Sequence, residues 1–238
     1  MSNFWKSTLE VGYYDKVLID GEKKRRGIKA NWHKTTLHKC QQYIETTDVH
    51  LDYACGPGTL IGRFSNAKSI GVDLAELQID YARNKYSKKG TFLTTKEFDF
   101  DEYKNTFDIV TLIGLIEFLT NSEIEVLINN IHSSLKPGGT LIITTPNFNS
   151  LIYKIANKFN LINSSEQHIN KFNIEKIKKL FTDSSLKLIK QRKVLSYGIL
   201  FSAINLKLGS FFNKIFEKAL LHNQGFLIIV ELKKETSS

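Results

Sequence analysis

The stretch Val49-His50-Leu51-Asp52-Tyr53-Ala54-Cys55-Gly56-Pro57-Gly58-Thr59-Leu60 decides the fold. A short apolar run, too brief for a helix, ends in a carboxylate and then in a loop of small residues. Leu60, Ile61 and Phe64 follow at spacings that suit the start of a helix. Strand, tight glycine turn and helix form the opening unit of a parallel α/β sheet. Glycine serves such a turn because it accepts positive φ and lets a ligand approach the backbone closely. The N–H groups that begin the next helix lack intrahelical partners and favour anionic groups. The turn is therefore expected to hold a small molecule with a nucleotide or carboxylate part.

Spacing narrows the ligand. A dinucleotide fingerprint needs Gly-x-Gly-x-x-Gly, and Ile61 stands where the third glycine belongs, which weakens a nicotinamide or flavin reading. No Gly-Lys-Ser/Thr follows, so a Walker loop fails too. A second strand, Lys68-Ser69-Ile70-Gly71-Val72, ends in Asp73, about twenty residues beyond Asp52, as suits an acid that bonds a ribose diol.

Leu51 to Gly58 together with Gly71-Val72-Asp73-Leu74 resembles motif I and the following acidic motif of class I S-adenosylmethionine (SAM) methyltransferases. The likeness continues through Thr106-Phe107-Asp108-Ile109-Val110, Leu135-Lys136-Pro137-Gly138-Gly139-Thr140-Leu141 and Thr144-Thr145-Pro146-Asn147, and is strong over residues 48–147. The Thr-Pro-Asn ending and the later His168 resemble the small-molecule branch that includes the ubiquinone-biosynthesis O-methyltransferases. The resemblance implies a Rossmann-like α/β fold with helices on both faces of a mostly parallel seven-stranded sheet, its last strand antiparallel. It also implies SAM as cofactor. Residues 1–47 would form a helical cap over the cofactor site, and residues 48–238 the SAM-binding domain with a lid insertion at about 148–172.

The chain has 238 residues, of which 42% are hydrophobic, enough for one well-filled core. Two cysteines, Cys40 and Cys55, give no disulfide framework and fit a reducing cytosol. The first residues show no apolar signal core, and no run approaches the ~18 apolar residues of a membrane span, so a cytoplasmic protein is expected. The formal charge of +9 has three readings: a solvated lysine-rich surface, an anionic substrate or membrane, or nucleic acid. The basic residues cluster at Lys23-Lys24-Arg25-Arg26 and scatter over 171–193 without aromatic interleaving, which disfavours nucleic acid.

Along the chain, Trp5, Tyr13, Tyr14, Trp32 and His33 make the first 47 residues more aromatic than a linker. Residues 31–45 suit a helix, and the charged, glycine-bounded segment 21–27 reads as a mobile loop. Strands are expected at 49–54, 68–72, 91–95, 107–113 and 140–144, with helices at 58–65, 75–87 (Leu77, Tyr81 and Ala82 inward) and 122–135. Ser122-x-x-Glu125 reads as a capping box for the last of these, and Pro137-Gly138-Gly139 as the turn into strand five. Beyond Asn147, residues 148–172 are too apolar for a plain loop and suggest a helical lid. A helix at 174–182, a strand at 186–195, an amphipathic helix at 208–221 and a final strand from Leu227 complete the chain.

By resemblance, Asp52 and the Ala54, Cys55, Gly56 and Gly58 backbone would hold the methionine end of SAM. Asp73 would take both ribose hydroxyls, although Asp is equally suited to cap a helix. Leu74 and Gln78 would join that site, Asp99 and Phe100 would recognise adenine, and Ile113 would pass beside the methionine portion. Tyr14, Trp32, His33 and Asn147 are expected to touch the acceptor. Glu117 and His168 are the candidates for proton transfer; each has a structural alternative, as polar helix surface and as a lid-bonding imidazole. The related branch builds a metal site here, but Gly114 replaces one acidic ligand and Phe118 follows Glu117, so no metal is expected.

The expected activity is methylation of a small-molecule acceptor, at oxygen, on a monomer or homodimer. DNA amino-methylation would need Asn/Asp-Pro-Pro-Tyr/Phe where Ile113-Gly114-Leu115-Ile116 stands, and neither cysteine follows a proline as cytosine C5 chemistry requires. RNA methylation and non-catalytic SAM binding stay as alternatives. The apolar segment 148–172 and the amphipathic 208–221 suggest a lipophilic or sugar-bearing acceptor and peripheral contact with an anionic membrane.

Overall fold

A computed structural model of the chain describes residues 9–158, 168–182, 184–218 and 225–236. Seven strands form one sheet in the order β3-β2-β1-β4-β5-β7-β6. They are β1 (Val49–Tyr53), β2 (Lys68–Asp73), β3 (Thr91–Thr94), β4 (Phe107–Ile113), β5 (Leu135–Pro146), β6 (Lys187–Val194) and β7 (Leu227–Lys233). Neighbours pair in parallel except at β7, which runs antiparallel to both β5 and β6. The chain builds β1, β2 and β3 outward, then returns to lay β4 on the other side of β1. That reversal makes a crevice at the carboxyl ends of β1 and β4, where open α/β sheets bind ligands.

Alternation along the strands divides the core into two faces. Val110, Leu112, Leu141, Ile143, Ile228 and Val230 pack beneath α5 (Asn121–Ser134) and α7 (Ile174–Leu180). Ile109, Ile142, Leu227 and Ile229 face the opposite layer with Cys40 of α2 (Ile28–Gln41) and Leu60 of α3 (Thr59–Arg63). Beside them α4 (Glu76–Tyr86) buries Ile79, Ala82 and Tyr86 against Ile61 and Phe92. Gly58 sits here in the left-handed region at φ +71°, and a Cβ on it would lie 2.5 Å from Phe92 Cε1.

Two helices precede the sheet, α1 (Tyr13–Lys24) and α2. Asp15 on α1 is fully buried and accepts from Tyr81 Oη at 2.8 Å, Tyr86 Oη at 2.9 Å and Lys85 Nζ at 2.5 Å, all on α4. Burial opposes the Asp15 charge, but the hydrogen bonds from Lys85, Tyr81 and Tyr86 outweigh it and hold the carboxyl below its usual pKa. Gln78 of α4 adds a second tie, accepting from Gly12 N at 2.9 Å and donating to Glu10 O at 3.1 Å.

Several expectations are corrected. Residues 21–24 continue α1 instead of forming a loop, because Gly21 lets α2 approach so closely that a Cβ there would collide with Ala30. The capping box of α5 is Thr120 with Glu123, two residues earlier than expected. Leu77 and Tyr81 do not point inward as a pair; Leu77 is exposed, and Gln78 and Ile79 are buried in its place. The pairing of β5 begins at Leu135, so Pro137, Gly138 and Gly139 lie within the strand, where a register shift opposite Phe107 and Ile109 absorbs them. Of the segment 148–172 expected as a helical lid, Leu151–Lys158 form a helix, α6, and residues 159–167 lie outside the described residues. The helix expected at 208–221 is α8 (Leu206–Lys218), preceded by a 3-10 turn at Tyr197–Ala203; Ala219 and Leu220 lie outside the described residues.

Gly58→Ala should cost ~2–4 kcal/mol, from left-handed strain together with overpacking against Phe92. For a domain of this size that is a fall of roughly 5–15 °C in melting temperature. Circular dichroism melts would show it; an unchanged melt would mean that the loop can repack.

Candidate functional site

A cavity of about 760 Å³ opens at the β1–β4 crevice, within the range of roughly 300–1,000 Å³ that small-ligand clefts occupy. Its floor is the loop after β1. Ala54, Gly56 and Gly58 there have φ of +67°, +52° and +71°. Ala54, Cys55, Gly56, Pro57 and Thr59 line the cavity, whereas Gly58 does not; its role is the close packing against Phe92. A Cβ on Gly56 would meet only Tyr14 Cδ2, at 3.7 Å, so the bare backbone leaves room between the loop and that ring.

Asp73, at the end of β2, accepts from Gly56 N and from Ala75 N, each at 2.8 Å. The acid thus joins the loops that follow the first two strands. Burial raises its pKa, against the backbone N–H groups of Ala75, Gly56 and Leu74. Each carboxylate oxygen keeps a free lone pair, so a diol can still be accepted in addition to the backbone donors. Leu74 lines the cavity beside it.

Asp52 lies at the cavity floor, 2% exposed. Thr111 Oγ1 on the neighbouring strand donates to it at 2.7 Å. Burial, with the nearby Asp73 charge, raises the Asp52 carboxyl to about 7 despite that bond. Behind Thr111 stands His50, its Nε2 3.0 Å from Thr111 Oγ1 and its Nδ1 3.1 Å from Ser69 Oγ. Thr111 has one proton, and it goes to Asp52, so the Thr111 oxygen is left to accept from His50 Nε2; the Ser69 hydroxyl beside Nδ1 lies 3.1 Å from Ala67 O as well. Burial holds the imidazole neutral by lowering its pKa to about 3. Sequence reading missed this file of residues. Its only signal was a histidine and a threonine interrupting two apolar strands.

One wall of the cavity is aromatic. Tyr14 packs edge-on against His33 with centroids 5.0 Å apart, and Trp32 stacks on His33 at 5.8 Å. All three line the cavity with Tyr13, and so do Phe118 and Tyr153, which were not expected there. Burial lowers His33 to about 4, with Lys29 adding to the shift, and raises the Tyr14 phenol.

Glu117 stands in the short 3-10 turn Ile116–Phe118 after β4 and is 2% exposed. Its Oε2 has no hydrogen-bond partner among the described residues. Burial raises the carboxyl from 4.5 to about 7, opposed by its own backbone and by the Thr145 hydroxyl. His168 stacks on Phe118 at 4.9 Å and meets Phe148 edge-on at 5.1 Å. Its Nδ1 is also without a partner, and burial with nearby Lys171 lowers the imidazole to about 4. Asn170 N donates to Glu117 O at 3.0 Å, so the segment carrying His168 is tied to the turn carrying Glu117. Both side chains line the cavity with Ile113.

Three assigned residues are placed elsewhere. Asn147 is buried with its amide donating to Gly225 O at 2.7 Å and its Oδ1 accepting from Asn149 N at 3.3 Å; it braces the β5–β7 end and does not line the cavity. Asp99 is exposed and caps Asp101 N at 2.9 Å. Phe100 packs on Tyr53 and Phe98, and neither Asp99 nor Phe100 lines the cavity. Gln78 borders the cavity, but both ends of its amide are committed to the Glu10–Gly12 turn.

Comparison with known proteins places this geometry. A family model described as a methyltransferase domain matches residues 25–191. The chain is 29% identical to the mRNA cap guanine-N(7) methyltransferase of Caenorhabditis elegans over 184 residues, 63% of this chain and 48% of that protein. It is 30% identical to the ubiquinone biosynthesis O-methyltransferase of Coxiella burnetii over 137 residues, 53% of this chain and 58% of that one. The chain thus spans about half the length of the curated relatives it matches. Among solved structures, a SAM-dependent methyltransferase from Thermotoga maritima superposes with a TM-score of 0.64, covering 98% of each chain at 13% identity, which speaks for the fold alone.

Raising a buried carboxyl's pKa makes the folded state hold its proton where the unfolded chain has released it. Stability from Glu117 is therefore present below its unfolded value of 4.5 and is lost as pH rises through about 7. Glu117→Gln should melt near the native protein at pH 5 and above it at pH 8, by an amount on the order of 3 kcal/mol. Parallel pH-dependent melts would refute the assignment if the two curves kept a constant offset. The match over residues 25–191, on a seven-stranded sheet with a carboxylate-rimmed crevice, places the chain in the methyltransferase domain family, whose methyl donor is SAM.

Proposed function

We propose that the chain transfers a methyl group from SAM to a hydroxyl of a small, largely apolar acceptor. The observation that supports this most is Glu117, a buried carboxyl of pKa about 7 with an unpartnered Oε2, on a cavity shared with Tyr14, Trp32, His33 and His168. Other residues of the same cavity suit the donor. Asp52 and Asp73 supply negative charge for a cationic ligand, the Gly56 backbone leaves space for it, and Asp73 retains lone pairs for two ribose hydroxyls. SAM supplies an electrophilic methyl on a sulfonium, so the protein's task is to align the acceptor and remove its proton.

The acceptor oxygen forms a bond to the methyl carbon as the carbon–sulfur bond breaks, the electron pair leaving with the now neutral thioether. The hydroxyl proton passes to Glu117 Oε2. A base of pKa about 7 combines availability with driving force at neutral pH, whereas the His168 imidazole, at about 4, is a weak base and serves to hold the acceptor. Stacked aromatic walls favour a flat acceptor or one with an extended apolar face. Two buried free cysteines, Cys40 and Cys55, accord with a reducing compartment such as the cytosol.

A second reading, methylation of guanine N7, is favoured by the similarity to cap methyltransferases. Chemistry separates the two, because N7 carries no proton and needs no base. Glu117→Gln should lower turnover of a hydroxylated acceptor roughly 100-fold while leaving SAM affinity unchanged. Retained turnover on a capped guanosine with that variant would favour the N7 reading. Asp73→Asn should weaken SAM roughly 10–100-fold by calorimetry, because one charged acceptor becomes a neutral amide. Unchanged affinity would remove Asp73 from the donor site.

A further inference from the structure

The helix α8 is oriented against expectation. A surface helix ordinarily turns its apolar stripe to the core. Here the buried positions are Gly209 and Asn213, and the exposed ones include Leu208, Phe211 (58% exposed) and Ile215. Leu200, Phe201 and Ile204 (72% exposed), from the turn before it, extend the same surface. Rotation of the helix is prevented by the bonds on its inner side. Asn213 Oδ1 accepts from Ser196 N at 2.7 Å, and Asn213 Nδ2 donates to Glu217 Oε1 at 3.0 Å. Glu217 is itself paired with Lys39 at 2.8 Å, and a Cβ on Gly209 would overlap the Ser202 hydroxyl.

The basic run Lys23-Lys24-Arg25-Arg26 is brought to the edge of this surface by two backbone bonds. Leu206 N donates to Arg25 O at 2.9 Å and Gly27 N donates to Ser202 O at 2.6 Å. Lys23, Arg25 and Arg26 are exposed and make no ion pair among the described residues, and Lys207, Lys214 and Lys218 are exposed on α8 itself. The neighbouring acids are already matched, Asp20 with Lys24 and Glu22 with Arg63 and Lys34. Exposed apolar side chains ringed by uncompensated cations fit the interfacial zone of an anionic bilayer, which takes up the former and attracts the latter. A second copy of the chain fits less well, since a two-fold contact would set two such basic runs against each other.

We propose that the α8 face and the Lys23–Arg26 run dock the protein on an anionic lipid surface. Because α2 lies between this face and the cavity, with Asn31 bonded to Ser202 at 2.6 Å and Trp32 and His33 lining the cavity, docking sets the cavity wall close to the bilayer. An acceptor dissolved in or attached to lipid would then reach it over a short path.

The test is co-sedimentation of the full chain with phosphatidylcholine vesicles and with mixed phosphatidylglycerol–phosphatidylcholine vesicles, at low and high salt. Binding is expected only to the mixed vesicles, and to weaken with salt. Arg25→Gln with Arg26→Gln should weaken it about thirtyfold, and Ile204→Ser with Phe211→Ser should abolish it, with SAM binding by calorimetry unchanged in both. No binding to mixed vesicles, or equal binding by the variants, would overturn the proposal. So would a dimer in solution that Phe211→Ser dissociates, which would assign the face to a second copy.

Discussion

The structure depends on one carboxylate that joins two loops. Asp73, closing β2, takes the backbone N–H of Gly56 from the loop after β1 and the N–H of Ala75 ahead of α4. These bonds close the loop over the end of the sheet, and the left-handed φ values of Ala54, Gly56 and Gly58 are what the closure demands of the chain. Once the loop is fixed, the path of β4 on the far side of β1 determines the rest of the crevice, and Asp52, Ile113 and Glu117 arrive at it from two adjacent strands and the turn beyond. Three acids, Asp52, Asp73 and Glu117, thus share one cavity with the rings of Tyr14, Trp32 and His33, so it offers negative charge and an apolar wall together.

Much of this was legible because it rests on residue types with few substitutes. A carboxylate, a small-residue bend and a second carboxylate about twenty residues on leave little freedom of interpretation. Continuous apolar runs such as Phe107–Ile113 read as strands covered on both faces, and they are. Tyr14, Trp32 and His33 stood out in a segment too aromatic for a linker, Glu117 and His168 through the family resemblance, and the fold brings all of them to one cavity.

What stayed hidden depends on contacts between distant segments. Thr120 and Ser122 are each followed three residues later by glutamate, so both were sound caps, and only the packing of α5 chose Thr120. Segment 21–27 looked like a loop because glycine and charge usually mean one; here Gly21 is the notch that admits Ala30 of the next helix. Asn147, Gln78 and Asp99 are polar residues near a site, but their hydrogen bonds are committed to the backbone. An amphipathic stripe also does not say which side meets the core. In α8 Asn213 and Gly209 decide that, through Ser196 and Ser202.

The buried Asp15 has a consequence for how the first helix answers acid. The first helix is moored to α4 by phenols and an ammonium gathered on a single anion, with Gln78 as a second line, so that mooring is polar instead of greasy. The stability that this depressed carboxyl contributes is present above its unfolded value of 3.8 and is lost as pH falls below it, so strong acid unties α1 from α4.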